Sequence, residues 1–347
     1  MMPIENAKVV AKPIRILVLA DDKPGHFNQS KGVVAALSRH RSVQLDWQDI
    51  KLPTHFITAS MGSIRRYLSY SIKPKARLIE LVSGAKVPTE KPDLIISAGG
   101  ATLPANIFLA RHFGVPNIFC GTIRKIPKDA FQAILVPYKQ FENTPPYMVA
   151  LKPCNIDPDK TFPAQSKPSI LFLLGGDCKT HQYSKEEWDT LLKIITEACS
   201  HSSSTSYNVV VCNSRRTDRY VSDQLFALSK RLPSLIYHDY RKTGSFNIEE
   251  ELIQASFVVV SEDSNSMITE AVCSQSPLCV YQPQSRNLSG LEEGYIRSME
   301  TDGRLARIAL DQNSTFSELE NRARDLHVLA ENHFDILATK ILAGIDL

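Results

Sequence analysis

Short aliphatic runs alternate along this chain with longer stretches in which apolar residues recur three and four positions apart. In the first half the runs fall at residues 14–20 (IRILVLA), 43–50 (VQLDWQDI), 93–100 (DLIISAGG), 116–121 (PNIFCG) and 133–138 (AILVPY). Their length and their branched or aromatic content predict strands. Between them, residues 28–40 (NQSKGVVAALSRH) and 102–114 (TLPANIFLARHFG) carry the helical period, and Gly114 and Pro116 stop the second helix. Strand and helix taking turns is the pattern of βαβ units, so the prediction is an α/β fold built on parallel, doubly wound sheets. After a Pro-rich stretch at 144–168 the pattern restarts with SILFLLGG (169–176), a helix around 184–199, YNVVVCNS (207–214), LIYHDY (235–240), FVVVSED (257–263) and SPLCVYQP (276–283). Two Rossmann-like units are therefore expected, at 1–150 and 169–316, with 151–168 as linker. The helical period of 317–347 predicts a C-terminal helix packing back toward the first unit. Two such units facing one another would bring the carboxyl ends of both sheets to a shared cleft, which directs attention to the loops after strands.

Composition agrees with two cores: 347 residues, 43% apolar and 22% charged. No run approaches the roughly 18 apolar residues that span a bilayer, and the N-terminus lacks a small-residue cleavage site, so a cytoplasmic chain without a signal peptide is expected. The 7 cysteines are scattered and never spaced CxxC, which predicts reduced, mostly buried thiols. Net charge is +3, but it divides unevenly: up to residue 165 there are 22 Lys and Arg against 12 Asp and Glu, and beyond it 18 against 25. The first half is therefore expected to meet an anionic partner. Its densest basic segment, 64–77, interleaves Arg65, Arg66, Lys73, Lys75 and Arg77 with Tyr67, Leu68 and Tyr70. Either it is a solvated face or it meets anionic lipid or a phosphorylated acceptor at a membrane surface. No recognition motif accompanies the charge, which argues against nucleic acid.

Three loops of the second half look suited to a nucleotide. In 258–272 (VVVSEDSNSMITEAV) a buried strand ends in a polar loop and a helix begins at Asn265 or Ser266. Asp263 or Ser264 would cap it, and a helix N-terminus flanked by Ser264, Asn265 and Ser266 is also a ready site for a diphosphate. Glu270 lies one turn further in, where a carboxylate can accept both hydroxyls of a ribose. Arg215 and Arg216 follow another strand and offer planar forks to phosphate oxygens. Gly175 and Gly176 follow a third, permitting close backbone approach, with Lys179 or His181 turned toward the cleft.

In the first half, LADDKPGHFNQSKG (19–32) places Asp21, Asp22, a Pro24-Gly25 turn and His26 after the opening strand. A histidine beside carboxylates has the composition of a general base with an orienting acid. Asn28 and Gln29 begin the helix and, with Gly99 and Gly100 of the loop 97–106, are candidates for holding a polar acceptor, together with Arg65 and Arg66. Arg124 and Lys125 stand at a further strand end. Asp157 and Asp159 form a carboxylate pair in the Pro-rich linker, a poor metal site by position, and no metal is expected.

The segments 21–32 (DDKPGHFNQSKG), 96–106 (ISAGGATLPAN), 213–218 (NSRRTD) and 261–271 (SEDSNSMITEA) together resemble the elongated-mitochondria family, named for mitochondrial fission and containing bacterial glycosyltransferases of the lipooligosaccharide outer core. They occur in the family's order over most of the chain; in the first, Asp22 stands where the family commonly has Gly. The resemblance implies a GT-B fold with the nucleotide-sugar donor mainly on the second unit and the acceptor on the first, Glu270 as the ribose-binding acid and 264–266 as the phosphate-binding helix start. It implies a glycosyltransferase that uses no cofactor beyond its nucleotide-sugar and acts on a glycolipid or saccharide acceptor, as in lipopolysaccharide biosynthesis, from the cytoplasmic face of a membrane. A sugar-nucleotide epimerase of the same fold and a non-catalytic membrane adaptor are the rival expectations.

Overall fold

The computed structural model describes residues 12–51, 59–165, 167–205, 207–242 and 246–347. They fall into two units: the first ends at Asn155 and takes in His333–Leu347, and the second is Ile156–Asn332.

The first unit runs β1 (Ile14–Ala20), α1 (Pro24–His40), β2 (Val43–Asp49), α2 (Ala59–Ser71), α3 (Ala76–Ser83), β3 (Leu94–Ala98), α4 (Leu103–Phe113), β4 (Asn117–Cys120), β5 (Ala133–Val136) and β6 (Tyr147–Val149). Its sheet is parallel throughout, in the order β2-β1-β3-β4-β5-β6. Along β1 the side chains alternate between two cores, as the period of two requires. Ile14, Ile16 and Val18 face α1 through Val33, Ala36 and Leu37, whereas Leu17 and Leu19 face α3 and α4 through Ile79, Phe108 and Leu109. Burial on both faces is why such strands read as uninterrupted aliphatic runs. The segment read only as basic, 64–77, spans most of α2 and leads into α3, which ends at Gly84 in the left-handed conformation (φ 72°). Strand β6 lies at the start of the Pro-rich stretch, within the expected first unit, and pairs with β5 at the sheet edge.

The second unit continues with β7 (Ser169–Leu173), β8 (His181–Gln182), α5 (Lys185–Thr205), β9 (Asn208–Cys212), α6 (Arg219–Arg231), β10 (Leu235–His238), α7 (Ile248–Gln254), β11 (Ala255–Ser261), α8 (Asn265–Cys273), β12 (Leu278–Gln282), β13 (Ser285–Arg286), α9 (Gly290–Thr301), β14 (Ala306–Ala309) and α10 (Phe316–Arg324). Its parallel sheet has the order β10-β9-β7-β11-β12-β14.

The C-terminal segment divides differently from the expectation that all of 317–347 returns to the first unit. Phe316, Leu319 and Ala323 of α10 are buried in the second unit's core with Trp188, Ile195 and Phe257. Only the last helix, α11 (His333–Gly344), belongs to the first unit, where Phe334, Leu337, Ala338 and Ile341 pack with α1. A bidentate pair from Arg39 to Asp335 at 2.9 Å fixes its entry; being half-exposed, it contributes register more than stability. Asp157 and Asp159 both accept from Asn332 Nδ2 at 2.9 Å, so that carboxylate pair is engaged within the second unit.

Candidate active site

In each sheet the direction of winding reverses once: between β1 and β3 in the first, and between β7 and β11 in the second. Ligands of doubly wound folds bind outside the carboxyl ends of the strands at such switch points. The loops in question are 21–23 and 99–102 in one unit, and 174–180 and 262–264 in the other.

At the first of these, Pro24 occupies the first helical position, where its fixed φ is favourable and its missing N–H is not needed. Helix α1 therefore starts at Pro24, one turn earlier than the expected Asn28, and carries His26 in its first turn. His26 Nδ1 lies 2.9 and 2.8 Å from the two carboxylate oxygens of Asp21. An ionised carboxylate can only accept, so Nδ1 carries a proton, and in the neutral ring the lone pair is on Nε2. The Asp21 side chain is 4% exposed and that of His26 is 28% exposed, so the acid sits beneath a ring that reaches solvent. Gly99 explains how the ring fits. Its φ is +86°, and a Cβ there would stand 2.1 Å from His26 Nδ1. A Cβ on Gly100 would lie 3.4 Å from the guanidinium of Arg124, itself in the left-handed region at φ 58°. Neither α1 nor α4 has a side-chain cap or an acid in its first turn, so no carboxylate within either turn offsets the positive end of its helix dipole.

The other first-unit candidates divide. Asp22 is exposed and Asn28 half-buried. Gln29 is buried, its amide donating to the Gly25 carbonyl at 3.0 Å, which ties it to the turn. Arg65 is a correction. It is 5% exposed, and its guanidinium donates to the Val82 carbonyl at the end of α3, so it braces α2 on α3 and is not part of a solvated basic face. Arg66 is half-buried beside Ser63, while Lys73, Lys75 and Arg77 are exposed, with Tyr67 and Leu81 large and apolar among them.

In the second unit, Asp263 is the hub. Its side chain is fully buried and pairs with Arg216 at 2.5 Å, while the other oxygen accepts from Gly176 N and Tyr183 Oη, both at 3.3 Å. Gly175 and Gly176 are glycines because of these protein neighbours: a Cβ on Gly175 would stand 2.1 Å from the Asp263 carboxylate, and one on Gly176 2.0 Å from the Arg216 carbonyl oxygen. Thr217 locks the same junction by donating to the carbonyls of Leu174 and Gly175 at 2.9 and 2.7 Å. Arg216 keeps 40% of its side chain exposed despite the pair, and Arg215 is exposed.

Ser264 is the N-cap of α8, accepting from Met267 N at 3.5 Å; Asn265 and Ser266 occupy its first turn, which carries no acid, and Glu270 is half-buried one turn on. Asn265 Oδ1 is buried with no hydrogen-bond partner among the described residues. An acceptor oxygen left in that condition costs about 1–3 kcal/mol unless a donor reaches it.

His181, expected to face a cleft, is instead 2% exposed, its Nε2 3.1 Å from Glu262. Glu262 also accepts from Arg286 at 2.6 and 2.9 Å and from Gln282 at 2.7 Å. Only the adjacency of Glu262 to Asp263 after a buried strand hinted at this cluster, and β13, which supplies Arg286, gives no sequence signal at all.

A family model described as Mitochondrial fission ELM1 matches residues 24–327. A Rickettsia prowazekii protein of uncharacterised function is 21% identical over 340 residues, covering 85% of this chain and 90% of its own. Among solved structures, a protein described as a UDP-N-acetylglucosamine 2-epimerase from Listeria monocytogenes aligns with a TM-score of 0.60 at 12% identity, covering 96% of each chain. The UDP-GlcNAc 2-epimerase of Neisseria meningitidis, solved with UDP-GlcNAc bound, aligns at 0.58 and 11% identity, covering 95% of this chain and 99% of that one. At such identities the likeness establishes the fold, which is GT-B. With the family match running from the first turn of α1, which carries His26, through the second-unit helix start and over most of the chain, the chain belongs to the mitochondrial fission ELM1 family.

Proposed function

We propose that this chain is a glycosyltransferase that moves a sugar from a nucleotide-sugar to the hydroxyl of an anionic, lipid-linked or oligosaccharide acceptor. The observation that carries the reading is the Asp21–His26 pair at the first switch point, with a buried carboxylate on Nδ1 and an open Nε2. Such a pair has the tautomer needed to take a proton from an acceptor hydroxyl, and general-base help of that kind is worth about 100- to 10,000-fold. An adaptor without chemistry would have no use for it.

The donor is assigned to the second unit. The first turn of α8 offers its N–H groups to a diphosphate, Arg215 and Arg216 extend toward the phosphate oxygens, and Glu270 receives the ribose hydroxyls. The orphan Asn265 Oδ1 supports this, since a ligand N–H or O–H would satisfy it. Charge building up on the departing diphosphate is thus met by arginines and a helix N-terminus, so the transfer is assigned no metal. Arg66, Lys73, Lys75 and Arg77, with Tyr67 and Leu81 exposed beside them, fit a cytoplasmic-side, anionic membrane surface on which such an acceptor sits. No helix of the described residues is long and apolar enough to cross a membrane.

The test is a transfer assay in EDTA with the wild type and His26→Ala. The expected outcome is activity that survives the chelator and falls at least about 100-fold in the variant, with nucleotide affinity unchanged. Conversion of the nucleotide-sugar to its epimer with no acceptor present would instead identify an epimerase. A folded His26→Ala variant of normal rate would remove this histidine from the chemistry.

A further inference from the structure

Six of the 7 cysteines are buried and only Cys178 is partly exposed. Burial pushes the thiols of Cys120 and Cys279 up to about 12 and that of Cys199 to about 11, which leaves them inert as nucleophiles. Cys178 lies in the loop after β7, where a tight turn closes with its N–H donating to the His181 carbonyl at 2.9 Å. That turn folds the imidazole back over the thiol. His181 Nδ1 is 3.7 Å from Cys178 Sγ and 2.9 Å from Thr180 Oγ1, and Thr180 Oγ1 is 3.3 Å from the sulfur. On the far side of the ring, Nε2 faces the Glu262 carboxylate at 3.1 Å. A carboxylate already accepting from Arg286 and Gln282 offers only acceptor oxygens, so Nε2 must carry the proton, and Nδ1 is left as an acceptor aimed at the thiol and the Thr180 hydroxyl.

We propose that Cys178 is a reactive thiol that exchanges with low-molecular-weight disulfides such as oxidised glutathione, with His181 as its proton acceptor and Glu262 as the group that fixes the His181 tautomer. In the exchange the Cys178 proton passes to His181 Nδ1 and the thiolate attacks one sulfur of the disulfide. The external S–S bond breaks as the Cys178–S–S bond forms. Cys178 is oxidised to a mixed disulfide, the departing sulfur is reduced to a thiolate, and that thiolate is protonated in turn. The other charged groups around the loop do not compete for this role. Asp177 is held by Tyr183 N at 2.9 Å, Lys179 is exposed, and Arg286 is engaged with Glu262 and with Glu293 at 2.5 Å. The electrostatics agree: burial alone would raise the Cys178 pKa, but hydrogen bonds from Thr180 and His181 outweigh it and lower it. Burial alone would lower that of His181, yet Glu262 and Cys178 leave it raised. An imidazole more basic than usual beside a thiol more acidic than usual is the pairing that raises the thiolate fraction.

The native chain is incubated with oxidised glutathione and the modified peptide mapped by mass spectrometry, and bimane alkylation of Cys178 is followed from pH 5 to 10, native and in urea. Glutathione is expected on Cys178 and on none of the other six, with the alkylation midpoint of Cys178 at lower pH, and alkylation at pH 7 faster, in the native chain than in urea, because the lowered thiol pKa raises the thiolate fraction. His181→Gln should move the alkylation midpoint of the native chain to higher pH. If that variant does not fold, the wild-type midpoint decides alone: one equal to that in urea, or glutathione spread over several cysteines, overturns the proposal.

Discussion

A single pair of residues carries much of the site's precision. His26 can stand over residue 99 only because that residue has no Cβ, and residue 99 can hold φ +86° for the same reason. Gly99→Ala therefore meets two penalties, a left-handed conformation costing about 1–2 kcal/mol and a collision with the imidazole. The collision is the more informative, because it displaces His26 from Asp21 without removing either. Gly99→Ala is expected to unfold at lower denaturant and to transfer sugar nearly as slowly as His26→Ala, both measured on the purified chain. Native stability together with native rate would show that the ring is not where it is needed. The same argument applies at Gly175, whose missing Cβ leaves room for the buried Asp263 carboxylate. These glycines were legible as loop glycines in the sequence, but what fills the space beside them was not. A ligand and a neighbouring side chain ask for the same residue.

Among the elements, the helices after strands are placed by their first turns and by what their apolar faces find. Helix α1 begins at a proline inside a segment read as a polar loop, whereas α8 begins at Asn265 behind the Ser264 cap, one of the starts its sequence offered. At the other end of the chain the helical period ran through 317–347 without saying where one helix stops and the next unit's helix begins. The answer lies in burial: Phe316 is 1% exposed and stacks on Phe257 at 6.0 Å inside the second unit, whereas Phe334 is buried in the first. Phe316→Ala should lower the stability of the second unit by about 3–5 kcal/mol in a urea titration. A change under about 1 kcal/mol would mean that α10 does not belong to that core.

For the whole molecule, the excess of basic residues up to residue 165 is the property that reaches furthest from its surface, and α2 and α3 concentrate it. Arg65 drops out of that patch because it is buried on Val82. Replacing Arg66, Lys73, Lys75 and Arg77 together with Gln is expected to weaken binding to anionic vesicles on the order of 100-fold or more, each charge near such a surface being worth about 1 kcal/mol. Binding to neutral vesicles should not change. Equal sedimentation of wild type and variant with anionic vesicles would reduce the patch to a solvated face.

The sequence by itself determined the class of the molecule. Aliphatic runs of strand length, separated by helical periods and interrupted once by prolines, specify two parallel doubly wound sheets, because hydrophobic period and turn chemistry are local properties of the chain. It also determined which polar residues stand at the sheet's carboxyl edge, since those directly after buried strands lie there wherever the strands are placed. Only the tertiary structure decided which of those residues meet. Asp21 and His26 are neighbours in sequence and were legible as a pair. Asp263 with Arg216, and His181 with Glu262, come from segments that follow different strands, and their pairing depends on the order β9-β7-β11 in the sheet. Arg65 likewise reads as one more surface cation until α3 closes over it. Charge and hydrogen bonding act over a few ångströms of space, and distance along the chain sets that separation only for neighbours within a turn or two.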